Sequence, residues 1–403
     1  MGYDANNDTY ATSCDEFSDS ESELSSVEML FKGYEPSLVV LDGSDHALFA
    51  QIEQLIDCIR AAKLIQQIRV STAFLQGLDV MDSSEAEVAA VATNGGKDKH
   101  NDVDDKDKAC PESDALFAAI AGLAPICETF VCHLHRHLPR AALEKSGSGL
   151  LKCVQSISHL TLNNFLLTDE LIAALGANQE LTELRAYVDS KEEEDGLDSL
   201  FRALSKSPRL QQLDVYAKED ERPEKPRRLT AVALTELVHN PALKEAKLWH
   251  LDTLLTEALG MALETTESKL ECLSLNQCFI KNQGYFALAN MLKKNKTLLK
   301  IQISDIVSAD ACIEFANGLA ENNTLEHLEL TYESDSDKVG HAMVKMLEVN
   351  KTIKYLKLYM SYSFENDMSF SAVKGTEYEE AQAADDWETK MEDLLEMNRS
   401  GSR

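Results

Sequence analysis

Residues 325–332 read LEHLELTY, and twenty-eight positions further on residues 353–360 read IKYLKLYM. Both octets put large aliphatic residues at their first, fourth and sixth positions. The last two of these are two residues apart, the spacing at which a strand returns side chains to one face. In LEHLELTY, Leu328 and Leu330 therefore point one way while His327, Glu329 and Thr331 point the other. A strand covered on both sides reads as a nearly continuous apolar run, so this alternation predicts a sheet with one wet face.

The same octet recurs upstream as LLKIQISD from Leu298, LECLSLNQ from Leu270, LKEAKLWH from Leu243, LQQLDVYA from Leu210, LTELRAYV from Leu181 and ISHLTLNN from Ile157. From Ile157 onward the starts are separated by 24, 29, 33, 27, 28, 27 and 28 residues. Looser copies begin at Ile65 (IQQIRVST) and Leu38 (LVVLDGSD), again 27 apart. Between octets lie DELIAALGAN, DSLFRALSKS, ALTELVHN, YFALANMLKKN, CIEFANGLAENN and HAMVKMLEVN, whose apolar residues form one helical stripe each and which usually close on Asn. Each unit is thus one strand and one helix. Neither face of such a unit is covered until its neighbours stack on it, so a fixed period predicts a solenoid with strands inside and helices outside.

The octet LxxLxL at a period near 28 with an intervening helix resembles the leucine-rich repeats of the ribonuclease-inhibitor type, also used in Ran GTPase-activating proteins, tropomodulins and NOD-like receptors. The resemblance covers residues 150–360 well and 38–150 loosely. It implies an α/β fold, a right-handed horseshoe with parallel strands on the concave face and helices on the convex face. The family places Asn or Cys three positions after the last aliphatic residue, where it bonds the turn. Only Cys278 fits; Phe165, Leu251, Ile306 and Glu333 stand there in other copies, so irregular turns are expected after those strands.

Outside the repeats, residues 1–36 include SCDEFSDSESELSSVE and are expected to be a disordered acidic, serine-rich tail. Its serines precede acids by two or three places, a setting suited to acidophilic kinases. Residues 37–81 hold the first divergent repeats, 82–113 an acidic disordered insertion whose removal restores the period, and 114–360 the main array. An acidic connector is expected over 361–385. Residues 386–403 contain DLLEMNR, an echo of MLEVNK, and are read as a capping helix for the open end of the core.

The 403 residues carry 69 acids against 39 bases, a net charge of -30. That excess repels phosphate backbones and anionic membranes, which excludes a nucleic-acid or membrane partner. Nine cysteines without a paired framework, several such as Cys58, Cys153 and Cys312 inside apolar helical patterns, read as buried thiols of an intracellular protein, cytoplasmic or nuclear. MGYDANNDTYATS has no basic and no apolar signal region, so no signal peptide is expected.

No phosphate-binding, hydrolase or metalloprotease motif is present, and neither an enzymatic activity nor a cofactor is expected. The densest ligand cluster is CETFVCHLHRH, with Cys127, Cys132, His133, His135 and His137; no second pair at zinc-like spacing completes it, and it reads as a strand with a wet histidine face. The functional expectation falls on the concave rows. The position after the third aliphatic residue holds Asn163, Tyr187, Tyr216, Trp249, Asn276, Ser304, Thr331 and Tyr359, so three aromatics should stand side by side. Arg185, Asp214 and Lys247 lie among them with Glu183 and Glu245. Tyr355, Lys357 and Tyr359 form a second patch, near Lys300 and Glu329. Large aromatics with a polar edge anchor protein partners, so a monomeric protein-binding scaffold is expected; the family resemblance raises a GTPase-regulating alternative in which Arg185 would act on a nucleotide.

Overall fold

The computed structural model describes residues 25–41 apart from 33 and 35, 51–70, 111–123, 129–133, 147–361 apart from 190–195, 219–228, 252, 266, 279 and 334–335, and 377–401. Among them, eleven strands form one parallel sheet whose spatial order is the sequence order. The first part runs α1 (Ser26–Phe31), β1 (Leu38–Leu41), α2 (Ile52–Ala61), β2 (Gln67–Val70), α3 (Pro111–Gly122), β3 (Thr129–His133), α4 (Gly147–Ser156) and β4 (His159–Leu166). The middle continues with α5 (Asp169–Ala177), β5 (Glu183–Asp189), α6 (Gly196–Leu204), β6 (Gln212–Lys218), α7 (Ala231–Val238), β7 (Glu245–Trp249), α8 (Thr253–Leu263) and β8 (Cys272–Asn276). The last part is α9 (Asn282–Lys294), β9 (Lys300–Val307), α10 (Ala309–Glu321), β10 (His327–Glu333), α11 (Ser336–Val349), β11 (Tyr355–Ser361) and α12 (Glu377–Ser400).

This is the leucine-rich-repeat solenoid that the octets imply. Leu325, Leu328 and Leu330 are fully buried, and most of the corresponding aliphatic positions of the other copies join them in one core that runs from Val27 to Leu395, with Leu358 partly buried against it. Each helix packs on the next and each strand on the next. Parallel strands repeat every ~4.8 Å, whereas packed helices need roughly 8–10 Å between axes. The two layers stay in step only if the stack bends with the sheet inside, so the wet face of the strands is concave.

A buried asparagine locks five of the helix-to-strand turns. Asn322 donates Nδ2–H to the carbonyls of Leu292 (2.7 Å) and Asn295 (3.2 Å) in the preceding repeat, and its Oδ1 accepts from the backbone N–H of Thr324 and Leu325. Three positions before their octets, Asn178, Asn240 and Asn350 likewise donate to two carbonyls of the preceding repeat, and Asn295 donates to the carbonyl of Leu263 and to Thr297 Oγ1. These are the asparagines on which the helical segments close.

The turns after the strands are irregular, as their residues imply. β7 and β8 stop after five residues, and His250 (φ 57°) and Gln277 (φ 47°) come next in the left-handed region. Cys278 closes the second of these turns with its thiol against the carbonyl of Asn276 (3.3 Å). β4 and β9 continue for eight residues and shift register at bulges.

Three expectations need correction. Residues 26–31, placed in a disordered tail, form α1: Ser25 accepts from the N–H of Glu28 while Glu28 reaches back to the N–H of Ser25, a capping box. Val27 and Leu30 then bury against the first repeat, and Ser26 Oγ accepts from Val40 N–H on the edge strand. Residues 377–385, placed in the connector, already belong to α12, because strong helix formers, Glu, Ala and Gln, make up most of EYEEAQAADD. Cys58 is half-buried rather than buried; Cys153 and Cys312 are buried as expected. The insertion up to residue 110 lies outside the described residues, as do residues 1–24 and the remaining serines there; residues 111–113 open α3.

Candidate protein-binding face

The register of the sheet decides which side chains meet. Arg185 stands opposite Asp214 and Asp214 opposite Lys247, while Tyr187 stands opposite Tyr216. β5, β6 and β7 thus present a block of three rows: Glu183, Gln212 and Glu245; Arg185, Asp214 and Lys247; Tyr187, Tyr216 and Trp249. The alternate residues Leu184, Ala186, Leu213, Val215, Ala246 and Leu248 are buried beneath it. The block faces water because its neighbours in each strand face the core.

The three aromatics hold one another. Tyr187 and Tyr216 lie 5.7 Å apart between ring centroids with a 37° tilt, and Tyr216 meets Trp249 edge to face at 5.2 Å and 82°. Trp249 Nε1–H donates to Asp214 Oδ1 across the strand at 2.9 Å, which fixes the indole. All three rings are half-buried, each by its neighbours. Such pairs contribute ~1 kcal/mol beyond their buried area, so the rings hold one another in place. Behind Trp249 lies a small apolar cavity lined by Leu197, Phe201, Leu248, Leu251 and Leu255.

The charges of the block are largely paired within strands. Arg185 Nε donates to Glu183 Oε1 at 2.7 Å, and Lys247 Nζ lies 3.9 Å from Glu245. Asp214 has two cations beside it in register, yet both turn to their own glutamates.

Tyr355, Lys357 and Tyr359 occupy the open face of β11, four strands from Trp249, or ~19 Å along the sheet. Tyr355 (38% exposed) stacks on His327 at 4.0 Å, and Lys357 Nζ sits 4.5 Å from the ring centroid of Tyr359 (42% exposed). Glu329 receives His327 Nε2 at 2.7 Å and Lys300 at 3.7 Å. The nine residues singled out from the sequence therefore fall into two patches. β8, β9 and β10 lie between them, β8 with the short side chains Cys272, Ser274 and Asn276.

One row is shorter than its spacing predicts. Ser304 does lie beside Asn276, with its Oγ 2.7 Å from Asn276 Oδ1, but the bulge in β9 sets Thr331 opposite Ile306 instead of Ser304. The extra residues put Asp305 under the turn, where its Oδ2 accepts from Cys278 N–H at 2.8 Å. Burial pushes this carboxyl up to about 6, the Cys278 and Cys312 thiols up to about 12 and the Tyr285 phenol up as well. These thiols are protonated packing groups.

Sequence reasoning missed the ring contacts of His250 and His327. His250 packs its ring 5.1 Å from Tyr216, from the left-handed position that ends β7. Histidine is among the few non-glycine residues enriched there, but only the strand's early end reveals the position. Cys132 and His133 lie in β3, whereas Cys127, His135 and His137 lie outside the described residues. Among the described residues no helix is long and apolar enough to cross a membrane.

No protein-family model and no curated protein matches this chain. Among solved structures, actin-binding site 2 of leiomodin-1 is similar over 42% of this chain and 90% of its own, at 20% identity and a TM-score of 0.33. The tropomodulin C-terminal domain of Caenorhabditis elegans is similar over 42% and 93%, at 13% identity and a TM-score of 0.32. LegL7, a leucine-rich repeat-containing protein of Legionella pneumophila, is similar over 88% and 97%, at 10% identity and a TM-score of 0.43.

Proposed function

We propose that this chain is a non-enzymatic, monomeric scaffold of the cytoplasm or nucleus that binds another protein through its concave face, with Tyr187, Tyr216 and Trp249 as the anchors. The observation that carries this reading is the aromatic row itself: three large rings in register on adjacent strands, locked ring to ring and by the Trp249–Asp214 bond, and still half-open to water. A rigid aromatic surface loses little side-chain entropy on docking, which is why such residues dominate binding energy. Arg185 and Lys247 border the row and help set register with a partner. Tyr355, Lys357 and Tyr359 give a second, more exposed contact on the same face.

Simultaneous replacement of Tyr187, Tyr216 and Trp249 by serine or alanine, with partner capture as the readout, tests the reading. Loss of the partner with an unchanged circular-dichroism spectrum supports it. Undiminished capture by a folded variant refutes it. In the GTPase-regulating alternative the Arg185 guanidinium leaves Glu183 for a nucleotide; stimulated GTP hydrolysis that is lost in Arg185→Ala is its signature.

A further inference from the structure

The aromatic row has a charge preference written beneath it. Among the described residues, Asp214 makes no ion pair: Arg185 is held by Glu183 at 2.7 Å, and Lys247 lies against Glu245 at 3.9 Å. Asp214 Oδ1 takes only the neutral indole N–H of Trp249. Glu183, Asp214 and Glu245 outnumber Arg185 and Lys247 in this block, and the whole chain carries -30. We propose that the segment docked on β5–β7 is basic, a lysine- or arginine-rich stretch of another protein whose cations lie on the faces of Tyr187, Tyr216 and Trp249 and pair with Asp214. This identifies the partner chemistry of the face proposed above, and it rests on that reading.

The chemistry agrees at three levels. A cation within about 6 Å of an aromatic face is attracted by the ring quadrupole, most strongly on tryptophan. Arginine adds a planar fork that a carboxylate accepts. The long-range field of a strongly acidic molecule speeds encounter with a basic partner and repels an acidic one. The far patch sets the direction: Lys300 and Lys357 against Glu329 leave it cationic. The basic stretch is therefore confined to β5–β7, and the part of the partner that reaches toward β11 is neutral or acidic.

The test uses the full chain and hexa-arginine and hexaglutamate peptides, with binding read from the emission of Trp249 in a Trp387→Phe background. Hexa-arginine should bind with an affinity that falls steeply with salt, and hexaglutamate should not bind. Asp214→Asn keeps the acceptor for Trp249 and removes only the charge; it should weaken hexa-arginine about five- to tenfold, and Tyr216→Leu by a similar factor. Glu257→Gln on α8 is the control for diffuse attraction and should have no effect. Equal affinity for Asp214→Asn, Tyr216→Leu and the parent, or an equal loss in the α8 control, overturns the basic-segment assignment. The platform reading is judged separately: a natural partner that needs the aromatic row but is indifferent to Asp214→Asn and to salt leaves the platform standing and removes the basic segment.

Discussion

Asn322 shows how much one residue decides in this fold. Its amide satisfies two carbonyls of the repeat before it and two N–H groups of its own turn, all buried. Each such bond is worth ~1 kcal/mol net, and a partner left unsatisfied costs ~1–3 kcal/mol. Asn322→Ala is therefore expected to lower unfolding free energy by about 2–4 kcal/mol, measured by urea denaturation. Ser207 occupies the same place before Leu210, with its hydroxyl buried and unbonded. Ser207→Asn should add the missing rung, toward the carbonyls of Leu175 and Asn178, and raise the urea midpoint. Asp305 acts in the opposite sense. The folded state holds its proton up to a pH of about 6 because of burial, whereas an unfolded aspartate releases it near 4. This group thus favours folding below pH 4, loses that contribution as pH rises from 4 to 6, and disfavours folding above. Asp305→Asn retains an acceptor for Cys278 N–H and is expected to raise the melting temperature at pH 7.5 more than at pH 4.5, with a difference of about 2 kcal/mol as the upper bound.

Among the elements, the two ends of the array are the informative ones. α1 has six residues, too short to persist alone, and depends on its capping box and on Val27 and Leu30 beneath it. α12 closes the other end. Trp387 lies flat on Gly340 of α11, where an added Cβ would collide with the indole ring, and Leu395 is buried. Asn398 continues the asparagine ladder to the carbonyls of Asn350 (3.2 Å) and Ile353 (2.8 Å), and Arg399 bonds the carbonyl of Lys354. This helix behaves as the convex half of the repeat that β11 opens. Gly340→Ala forces Trp387 outward and is expected to cost about 1–3 kcal/mol. Hydrogen exchange should localise the loss to α11, α12 and β11 and leave β5–β8 protected.

At the scale of the whole molecule, stability is a sum over neighbours, because each repeat touches only the two beside it. β1, β2 and β3 are four or five residues long, and among the described residues the asparagine rungs begin at Asn178. Amides of β1–β3 are accordingly expected to exchange before those of β5–β10, measured by hydrogen–deuterium exchange at neutral pH; uniform exchange along the array would contradict a nearest-neighbour stack. The concave face also differs in charge from the molecule as a whole. Residues 1–24 alone hold seven acids and no base, whereas the β5–β7 block holds three acids and two bases, so most of the negative excess lies away from this face.

The amino-acid sequence by itself determined the architecture. An apolar side chain every second residue makes a one-sided strand, a stripe every third or fourth makes a helix, and a repeat of both near 28 admits only stacking. The side chains of the concave face were also legible, since parallel register turns repeat positions into rows. The rest belongs to the tertiary structure. That Trp249 bonds Asp214 while Arg185 and Lys247 turn to glutamates is a choice among neighbours that no spacing encodes. The bulge that parts Ser304 from Thr331 depends on how β9 meets the turn of the repeat before it. The burial that raises the carboxyl of Asp305 exists only once two repeats have closed over it. α1 is the intermediate case: its capping box stands in SSVE, but six residues fold there only because a core lies beneath them to cover Val27 and Leu30.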